Sequence, residues 1–392
     1  MVPRLSAREL LLCLVALLPR LVSAACECGY SVNKTTDPEY AVWTDLLETD
    51  FLHVKSLKDI GWLPQVYNTT PTSEGGAGTY GKMAARSNVL ANPLKNSEDW
   101  AGESKNGGDA GLQLVVRSEL VDNLVSFGEV AYRSRPDLLY GSFRVAMKMT
   151  GVPGTCGAFF WFRNNSMEID MEFLSRQLNS TSSSSPLNLV IHTPESAANG
   201  FDAASTPDFD VQQVPFHADE GFHEYRFDWL PDRVSFYTDG KWISDLNYTV
   251  PNEPGVLVIN HWSNGNPNWS AGPPTEDAVL TISYAKAYFN SSDTQRQSDY
   301  TKRCNTANAT AYATSVCQIP DQTTAPDTAG PDGNTTANTF FFSNDPHNTQ
   351  NQTVFSNWPS GSHAIAPAQI LKSVPLPVGV AVACSLVLTL FA

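Results

Sequence analysis

The chain has 392 residues, of which 42% are hydrophobic, and its formal net charge at pH 7 is −15. A chain this acidic is not expected to bind nucleic acid or an acidic polysaccharide, so a neutral glycan is the natural partner. The apolar fraction is sufficient for a globular core.

The first 24 residues have the order of regions found in secretory signal peptides. Arg4 and Arg8 precede an apolar run at 10–18, and small residues at 23–25 suit a signal peptidase. Arg20 interrupts the run, which disfavours the alternative of a membrane-spanning helix, because such a helix needs roughly 20 uninterrupted apolar residues. We therefore predict a signal peptide over residues 1–24.

Residues 25–290 are predicted to form one domain of short β-strands. Apolar residues recur at every second position in Tyr225, Phe227 and Trp229, and Asp239-Gly240 is a strong hairpin signal. Further strands are predicted at 112–117, 139–149, 158–162, 187–192, 255–261 and 279–289, and one helix near 42–51. Evenly spaced strands with almost no helical periodicity indicate an all-β antiparallel sandwich or jelly roll.

Residues 167–173 contain acidic and apolar side chains in strict alternation. Glu168, Asp170 and Glu172 must point to one face of a strand, while the residues between them enter the core. Three neighbouring carboxylates with no Lys or Arg between them repel one another, so one of them should hold a proton near neutral pH. A protonated acid beside an ionised carboxylate is what glycoside hydrolysis requires. The alternative is a solvated outer face.

The spacing along this strand fits one type of glycosidase. Four residues of strand place the Cα atoms of Glu168 and Glu172 roughly 13 Å apart. If the two side chains lean together, their carboxyls approach to about 5 Å, which is the separation of retaining rather than inverting enzymes. The geometry therefore permits a retaining mechanism.

Sugar-binding side chains are expected at strand ends near these acids, because sugar rings stack on aromatic faces and sugar hydroxyls need polar partners. Each candidate tryptophan could equally be a core aromatic. We expect His192 to be structural, and Cys156 to be buried or disulfide-bonded rather than a nucleophile. The candidate substrate-binding residues are Trp161, Arg163, His261, Trp262 and Trp269.

Five cysteines remain outside the terminal segments that we predict to be removed. Cys26 and Cys28 are too close in sequence to pair comfortably, so we expect them to reach Cys304 and Cys317, although the sequence does not fix the pairing. A zinc site at the C-x-C pair is disfavoured, because the sequence has no matching His or Cys cluster nearby.

The last hundred residues are predicted to hold the domain outside the cell. Residues 291–362 are rich in Thr, Asn, Ser and Pro, which is typical of a glycosylated stalk, and the apolar tail within 363–392 resembles a GPI-anchor signal. A single-pass membrane helix is the alternative. Ten Asn-x-Ser/Thr sequons fit an exterior glycoprotein. We expect an extracellular protein at the cell surface or cell wall, anchored to lipid of the plasma membrane.

The segment Glu-Ile-Asp-Met-Glu-Phe at 168–173 resembles the E-x-D-x-E signature of glycoside hydrolase family 16, in its fungal, GPI-anchored form. Tyr140-Gly141-Ser142-Phe143, the run 223–229 and Gly272-Pro273-Pro274 resemble the same family. The resemblance implies a concanavalin A-like jelly roll. It also implies that Glu168 is the nucleophile, Asp170 an assisting carboxylate and Glu172 the general acid/base.

The resemblance further implies a retaining endo-β-glucan hydrolase that acts on β-1,3 or mixed β-1,3/1,4 linkages of cell-wall glucan. Strict laminarinase activity is disfavoured, because the signature lacks the inserted residue that many laminarinases carry. A glucan or chitin-glucan transglycosylase and a non-catalytic lectin-like module are the alternatives. We expect a monomer without a cofactor. We also expect no metal, since no loop in the sequence clusters the oxygen ligands that calcium needs.

Overall fold

The computed structural model describes residues 26–32, 41–57, 60–71, 78–178, 181–304, 315–322 and 341–344. The predicted signal peptide at 1–24, the predicted anchor signal at 363–392 and most of the predicted stalk lie outside these residues. Within the described ranges, no helix has both the length and the apolar character needed to cross a membrane.

Strands dominate the described part of the chain. Their bounds are β1 Tyr30–Ser31, β2 Asp45–Asp50, β3 Trp62–Pro64, β4 Tyr67–Thr69, β5 Gly81–Ala84, β6 Val89–Asn92, β7 Gly111–Val116, β8 Leu120–Val121, β9 Leu124–Tyr132, β10 Leu138–Lys148, β11 Cys156–Asn164, β12 Met167–Leu174, β13 Ser185–His192, β14 Phe209–Val214, β15 His223–Trp229, β16 Val234–Thr238, β17 Lys241–Leu246, β18 Val256–Trp262, β19 Ala278–Ser291 and β20 Cys317–Gln318. The α-helices are α1 Pro194–Ala198 and α2 Thr294–Arg303, and short 3-10 turns cover Arg86–Asn88, Ser175–Gln177 and Phe342–Asn344.

Two large sheets pack face to face. The backing sheet has the order β17-β16-β15-β10-β19-β7-β6, with β2 also paired to β19, and the cleft sheet has the order β14-β13-β12-β11-β18-β9-β5-β4. Among the described strands of these two sheets, neighbours are antiparallel apart from β5 and β9, which run parallel. This architecture confirms the predicted all-β sandwich.

The core lies between the two sheets and is rich in aromatic side chains. Phe173 of the cleft sheet lies 5.1 Å from Tyr225 of the backing sheet, and Phe159 lies 5.4 Å from Phe227, each measured between ring centroids. Full burial of a Phe side chain contributes about 1.5–3 kcal/mol to stability. Side chains alternate along a strand. The residues next to Phe159 and Phe173 in sequence therefore face away from the core and lie on the outer face of the cleft sheet.

The predicted strands coincide with observed ones, and their ends differ by one or two residues. The hairpin between β16 and β17 turns at Asp239 and Gly240, whose φ angles are 45° and 72°. Two consecutive positive φ angles are the requirement of a type I′ turn, which matches the twist of the flanking strands. The Asp-Gly signal therefore predicted this turn correctly.

The helix predicted near 42–51 is wrong, because residues Asp45–Asp50 form β2 and pair with β19. Its acidic side chains are buried and each has a partner. Asp45 accepts a hydrogen bond from Arg135, Glu48 accepts one from Tyr288, and Asp50 pairs with His53. Tertiary contacts thus allow a strand in which acidic residues are buried beside apolar ones.

Two disulfides join the ends of the domain, as predicted, by linking Cys26 to Cys317 and Cys28 to Cys304. The second bond holds α2 against the sandwich, and Phe342 of the predicted stalk is buried beside Tyr30. The folded unit therefore extends beyond residue 290, where we expected it to end. The reason is that cysteines and phenylalanines scattered through a polar segment anchor it to the sandwich.

Candidate active site

A long cleft crosses the outer face of the cleft sheet and has a volume of about 1020 Å³. Its floor is formed by β12, β11, β18 and β9, and its walls include β4 and the loops at 200–204 and 264–269. The cleft is lined by, among others, Asn68, Lys82, Glu129, Glu168, Asp170, Glu172, Asn260, Trp262 and Trp269.

The three acids of β12 all lie in this cleft, as their alternation predicted. Ile169 and Met171, between them, are fully buried in the core. Each acid also belongs to a row of cross-strand neighbours that runs across the sheet. Glu172 stands opposite Ala158, which stands opposite Asn260, which in turn stands opposite Glu129. The three acids share the floor of the cleft, and their catalytic role remains a prediction.

Burial raises the pKa of each of the three acids. Glu172 reaches a pKa of about 7, and the pKa of Asp170 rises well above its usual range because its neighbours on both sides are also carboxylates. Burial raises the pKa of Glu168 to about 8, above that of Glu172, although a hydrogen bond from Asp170 lowers the pKa of Glu168 and raises that of Asp170. The central Asp170 therefore retains a proton and donates it toward Glu168, which favours the ionised form of Glu168.

Glu168, Asp170 and Glu172 form a row along β12, here called the acid row. Glu172 lies at one end of it and accepts hydrogen bonds from neighbouring side chains. The Cys156 thiol donates to Glu172 Oε1 at 3.4 Å, and the Trp269 side chain also hydrogen bonds to this carboxyl. Burial raises the pKa of the Cys156 thiol well above its usual range, so the sulfur keeps its proton and acts as a donor. Cys156 is buried and free, which agrees with the expectation that it is no nucleophile.

Glu129 and Lys82 are charged cleft residues that sequence reasoning missed. Glu129 of β9 accepts hydrogen bonds on Oε2 from the Tyr67 hydroxyl at 3.0 Å and from Asn260 Nδ2 at 3.2 Å. Lys82 Nζ lies 4.3 Å from the ring centroid of Trp262, over its face. The signal for Glu129 was a single acid within an otherwise apolar strand, whereas β5 is too short to reveal which way Lys82 points.

Of the five predicted substrate-binding residues, Trp262 and Trp269 line the cleft. Trp269 lies 6.2 Å from Phe209 of β14, measured between ring centroids, so it covers the side of the cleft nearest the acids. Both indoles are placed where they could stack on a sugar ring, and their binding role stays a prediction.

The placement expected for the other three was wrong. Trp161 points into the core, where its ring centroid lies 4.4 Å from that of Trp229, because it alternates with the cleft-facing Phe160. His261 is fully buried, and its Nδ1 donates to the Leu114 carbonyl while Nε2 accepts from Thr155 Oγ1. Arg163 is exposed outside the cleft and pairs with Glu253.

His192 is the cross-strand neighbour of Glu168 and lines the cleft. Its Nδ1 lies 3.2 Å from Ser196 Oγ, and burial lowers the pKa of its ring to about 4. The ring is therefore neutral at physiological pH. It is a hydrogen-bonded structural histidine, as expected, that also contributes a wall of the cleft.

The residues that the structure describes do not form a metal centre. In those ranges, no group of three or more His, Cys, Asp or Glu side chains is arranged to hold a metal ion. The chemistry available in the cleft is thus that of the carboxyl groups and their donors, and the expectation of a metal-free site stays a prediction.

The model of the glycosyl hydrolases family 16 matches residues 98–286. A beta-glucanase of Acetivibrio thermocellus is 30% identical over 136 residues, which cover 33% of this chain and 36% of that protein. A beta-glucanase of Paenibacillus polymyxa is 29% identical over 160 residues, which cover 40% and 60%. The chain thus spans less than two thirds of the length of these relatives.

Among solved structures, the beta-glucanase of Bacillus licheniformis aligns with a TM-score of 0.45 and 18% identity over 62% of this chain and 97% of that one. The family match contains the acid row of β12 and the cleft strands β9, β11 and β18. Residues 98–286 are therefore a domain of the glycosyl hydrolases family 16.

Proposed function

We propose that the protein is a retaining endo-β-glucan hydrolase whose catalytic groups are Glu168, Asp170 and Glu172. The observation that carries the proposal is the row of three buried carboxyls on one strand at the floor of an open cleft. A structural acid in a protein interior is usually paired with a cation, whereas Asp170 lies between two other carboxyl groups that both raise its pKa further after burial has raised it.

The proposed reaction has two steps. Glu168 attacks the anomeric carbon of the sugar, the glycosidic C–O bond breaks, and Glu172 gives its proton to the leaving oxygen. Glu172, now ionised, removes a proton from water, which attacks the glycosyl-enzyme bond and releases Glu168. A pKa of about 7 suits Glu172 for both roles, and the hydrogen bond from Asp170 lowers the pKa of Glu168, which must be ionised when it attacks.

The proposed substrate is a β-glucan with β-1,3 or mixed β-1,3/1,4 linkages. Support comes from the beta-glucanases to which the chain is similar and from the net charge of −15, which suits a neutral polymer. The tryptophans at the Glu172 side offer flat apolar faces to sugar rings. We further propose an extracellular, anchored location, which the two disulfides support because such bonds persist in oxidising compartments.

Transfer to a second glycan is the second candidate function. Trp269 lies beside Glu172, where the group activated by Glu172 must approach, so an acceptor sugar stacked on this indole would compete with water. Incubation with a defined glucan oligosaccharide separates the two functions. Products longer than the donor establish transfer, and shorter products alone establish hydrolysis.

The substitutions Glu168→Gln and Glu172→Gln test the catalytic assignment. Each should lower kcat/KM by about 10²–10⁴-fold, because the first removes the nucleophile and the second removes the acid. Glu253→Gln, at an exposed glutamate outside the cleft, is the matched control. Normal turnover in either cleft variant contradicts the assignment, and binding without turnover by the native protein would favour a lectin-like module.

A further inference from the structure

One sequon lies on the wall of the cleft in a position open to modification. Asn68, Thr69 and Thr70 form an Asn-x-Thr sequence in and after β4, and the side chains of Asn68 and Thr70 are both exposed. Asn68 also lines the cleft. A group attached to its amide nitrogen would therefore stand at the cleft mouth.

The position of β4 leaves space for such a group. Among the described strands, β4 is the last in the cleft sheet, where Asn68 pairs with Met83 of β5. The neighbouring Tyr67 reaches over the cleft floor, and its hydroxyl donates to Glu129. Asn68 thus lies at the rim between the solvent and the Glu129 end of the cleft.

Other described sequons differ from Asn68. At Asn268, which also lines the cleft, the acceptor residue Ser270 is fully buried and its hydroxyl donates to Asn264. The Oδ1 atom of Asn290 is buried. Asn164 uses its Oδ1 to accept hydrogen bonds from Ser166 and is not among the cleft-lining residues. Asn68 therefore combines exposure of the asparagine and of the acceptor threonine with a place on the cleft wall.

The two disulfides fit folding in the secretory pathway, where N-glycans are added. Both disulfides require oxidising conditions, as found in the secretory pathway. A glycan on Asn68 would be bulky and hydrated, because attached oligosaccharides project from the surface. It would occupy space that a side branch of a polysaccharide needs in order to enter the cleft.

We propose that Asn68 carries an N-linked glycan that narrows the Glu129 end of the cleft and thereby selects unbranched glucan chains over branched ones. The selection rests on the proposed glucan-cleaving function, whereas the glycan itself does not. In the cleft sheet, β4 is separated from β12 by β11, β18, β9 and β5, which amounts to about 24 Å at 4.8 Å per step. The glycan therefore acts on substrate far from the bond that is cleaved.

The first measurement is the occupancy of each sequon by intact glycopeptide mass spectrometry on protein secreted from a host that adds N-glycans. Thr70→Ala removes the sequon and leaves Asn68 in place, and Thr70→Ser retains it as a matched control. Asn247→Gln removes a sequon with an exposed asparagine that is not among the cleft-lining residues. An unoccupied Asn68 in the native protein overturns the proposal.

The second measurement is the ratio of kcat/KM on a branched β-1,3-glucan to that on a linear one. We expect Thr70→Ala to raise this ratio several-fold, and we expect Thr70→Ser and Asn247→Gln to leave it unchanged. Removal of the glycan by an endoglycosidase should raise the ratio in the native protein, in Thr70→Ser and in Asn247→Gln, and should leave it unchanged in Thr70→Ala. An unchanged ratio in Thr70→Ala, with Asn68 occupied in the native protein, overturns the selection.

A third measurement needs no turnover and separates this inference from the proposed function. Hydroxyl-radical footprinting should oxidise Tyr67 more in Thr70→Ala than in the native protein, because the glycan covers it. Tyr248, next to Asn247, should be oxidised equally in both. If no glucan is cleaved, the glucan-cleaving proposal fails and footprinting still decides whether the glycan covers the cleft end. Equal oxidation of Tyr67 in Thr70→Ala and in the native protein would contradict the inference that the glycan covers this end of the cleft.

Discussion

Arg176 clamps the loop that carries Trp269. Its Nε donates to the carbonyl oxygen of Trp269 and its Nη2 to that of Asn268, each at 2.6 Å. Arg176 follows the acid strand β12 within one short turn, so the strand and the loop are joined through one guanidinium. The clamp fixes the indole that hydrogen bonds to Glu172.

Loss of this clamp should weaken catalysis more than folding. We expect Arg176→Ala to lower kcat/KM about tenfold, since two charge-assisted hydrogen bonds at an exposed site are together worth about 1.4 kcal/mol. Arg176→Lys keeps the charge but loses the paired geometry, so most of the loss should remain. Steady-state kinetics and thermal unfolding measure the two effects. A large fall in Tm with normal kinetics in the remaining folded protein would contradict the positioning role.

The pH profile should report the charge of Lys82. Because Glu172, with a pKa of about 7, must keep its proton while Glu168, with a pKa of about 8, must lose its own, kcat/KM should peak between about pH 7 and 8 and fall at higher pH. The positive charge of Lys82 favours the ionised form of Glu172 and so lowers its pKa. Lys82→Met should therefore move this fall to higher pH, and Lys82→Arg should leave it in place. If kcat/KM of Lys82→Met fell at the same pH as that of the native protein, the charge of Lys82 would not influence the pKa of Glu172.

The Cys156 thiol should have an effect in the same direction. It donates to the carboxyl of Glu172, which favours the ionised form. Cys156→Ala should raise the pKa of Glu172 and move the basic limb of kcat/KM to higher pH, since the thiol donates to the ionised carboxyl. Cys156→Ser supplies a hydroxyl donor and should keep the limb at or below its original position. Equal profiles for the Ala and Ser variants would contradict the hydrogen bond.

Two tryptophans that look alike in the sequence should respond in opposite ways. Trp161→Ala removes a fully buried side chain from the core and should cost about 3–5 kcal/mol of unfolding free energy. Trp269→Ala removes a cleft wall and should lower kcat/KM while changing the unfolding free energy by less than about 1 kcal/mol. Denaturant unfolding and kinetics on each variant test this pair. Similar stability losses in both variants would contradict the assignment of Trp269 to the cleft.

The acid row could be predicted because everything that defines it lies within one strand. Alternation alone sets Glu168, Asp170 and Glu172 on one face, and it needs no partner strand. The same reasoning failed for Trp161 and His261. Alternation shows that neighbouring residues of a strand face opposite ways, but only the register with the acid strand decides which of them faces the cleft. The pairing of Ala158 with Glu172 fixes this register, and no local pattern reveals it.

The remaining cleft residues depend on contacts between distant segments. Lys82 is in the cleft because β5 pairs in parallel with β9, whose residues lie about 40 positions later. Glu129 is joined to Asn260 across β9 and β18, which are separated by more than a hundred residues. Such pairings follow from the packing of the whole sandwich, so sequence patterns within single strands could not identify these two charges.

The disulfides between Cys26 and Cys317 and between Cys28 and Cys304 turn the domain into a covalently closed loop. A protease that cuts a single peptide bond in an exposed turn between residues 29 and 303 would not release a fragment, because both pieces stay linked through sulfur. Nicked and intact protein would therefore migrate together on a denaturing gel until a reductant is added. Such a closed loop lets the domain tolerate single cuts where proteases are abundant.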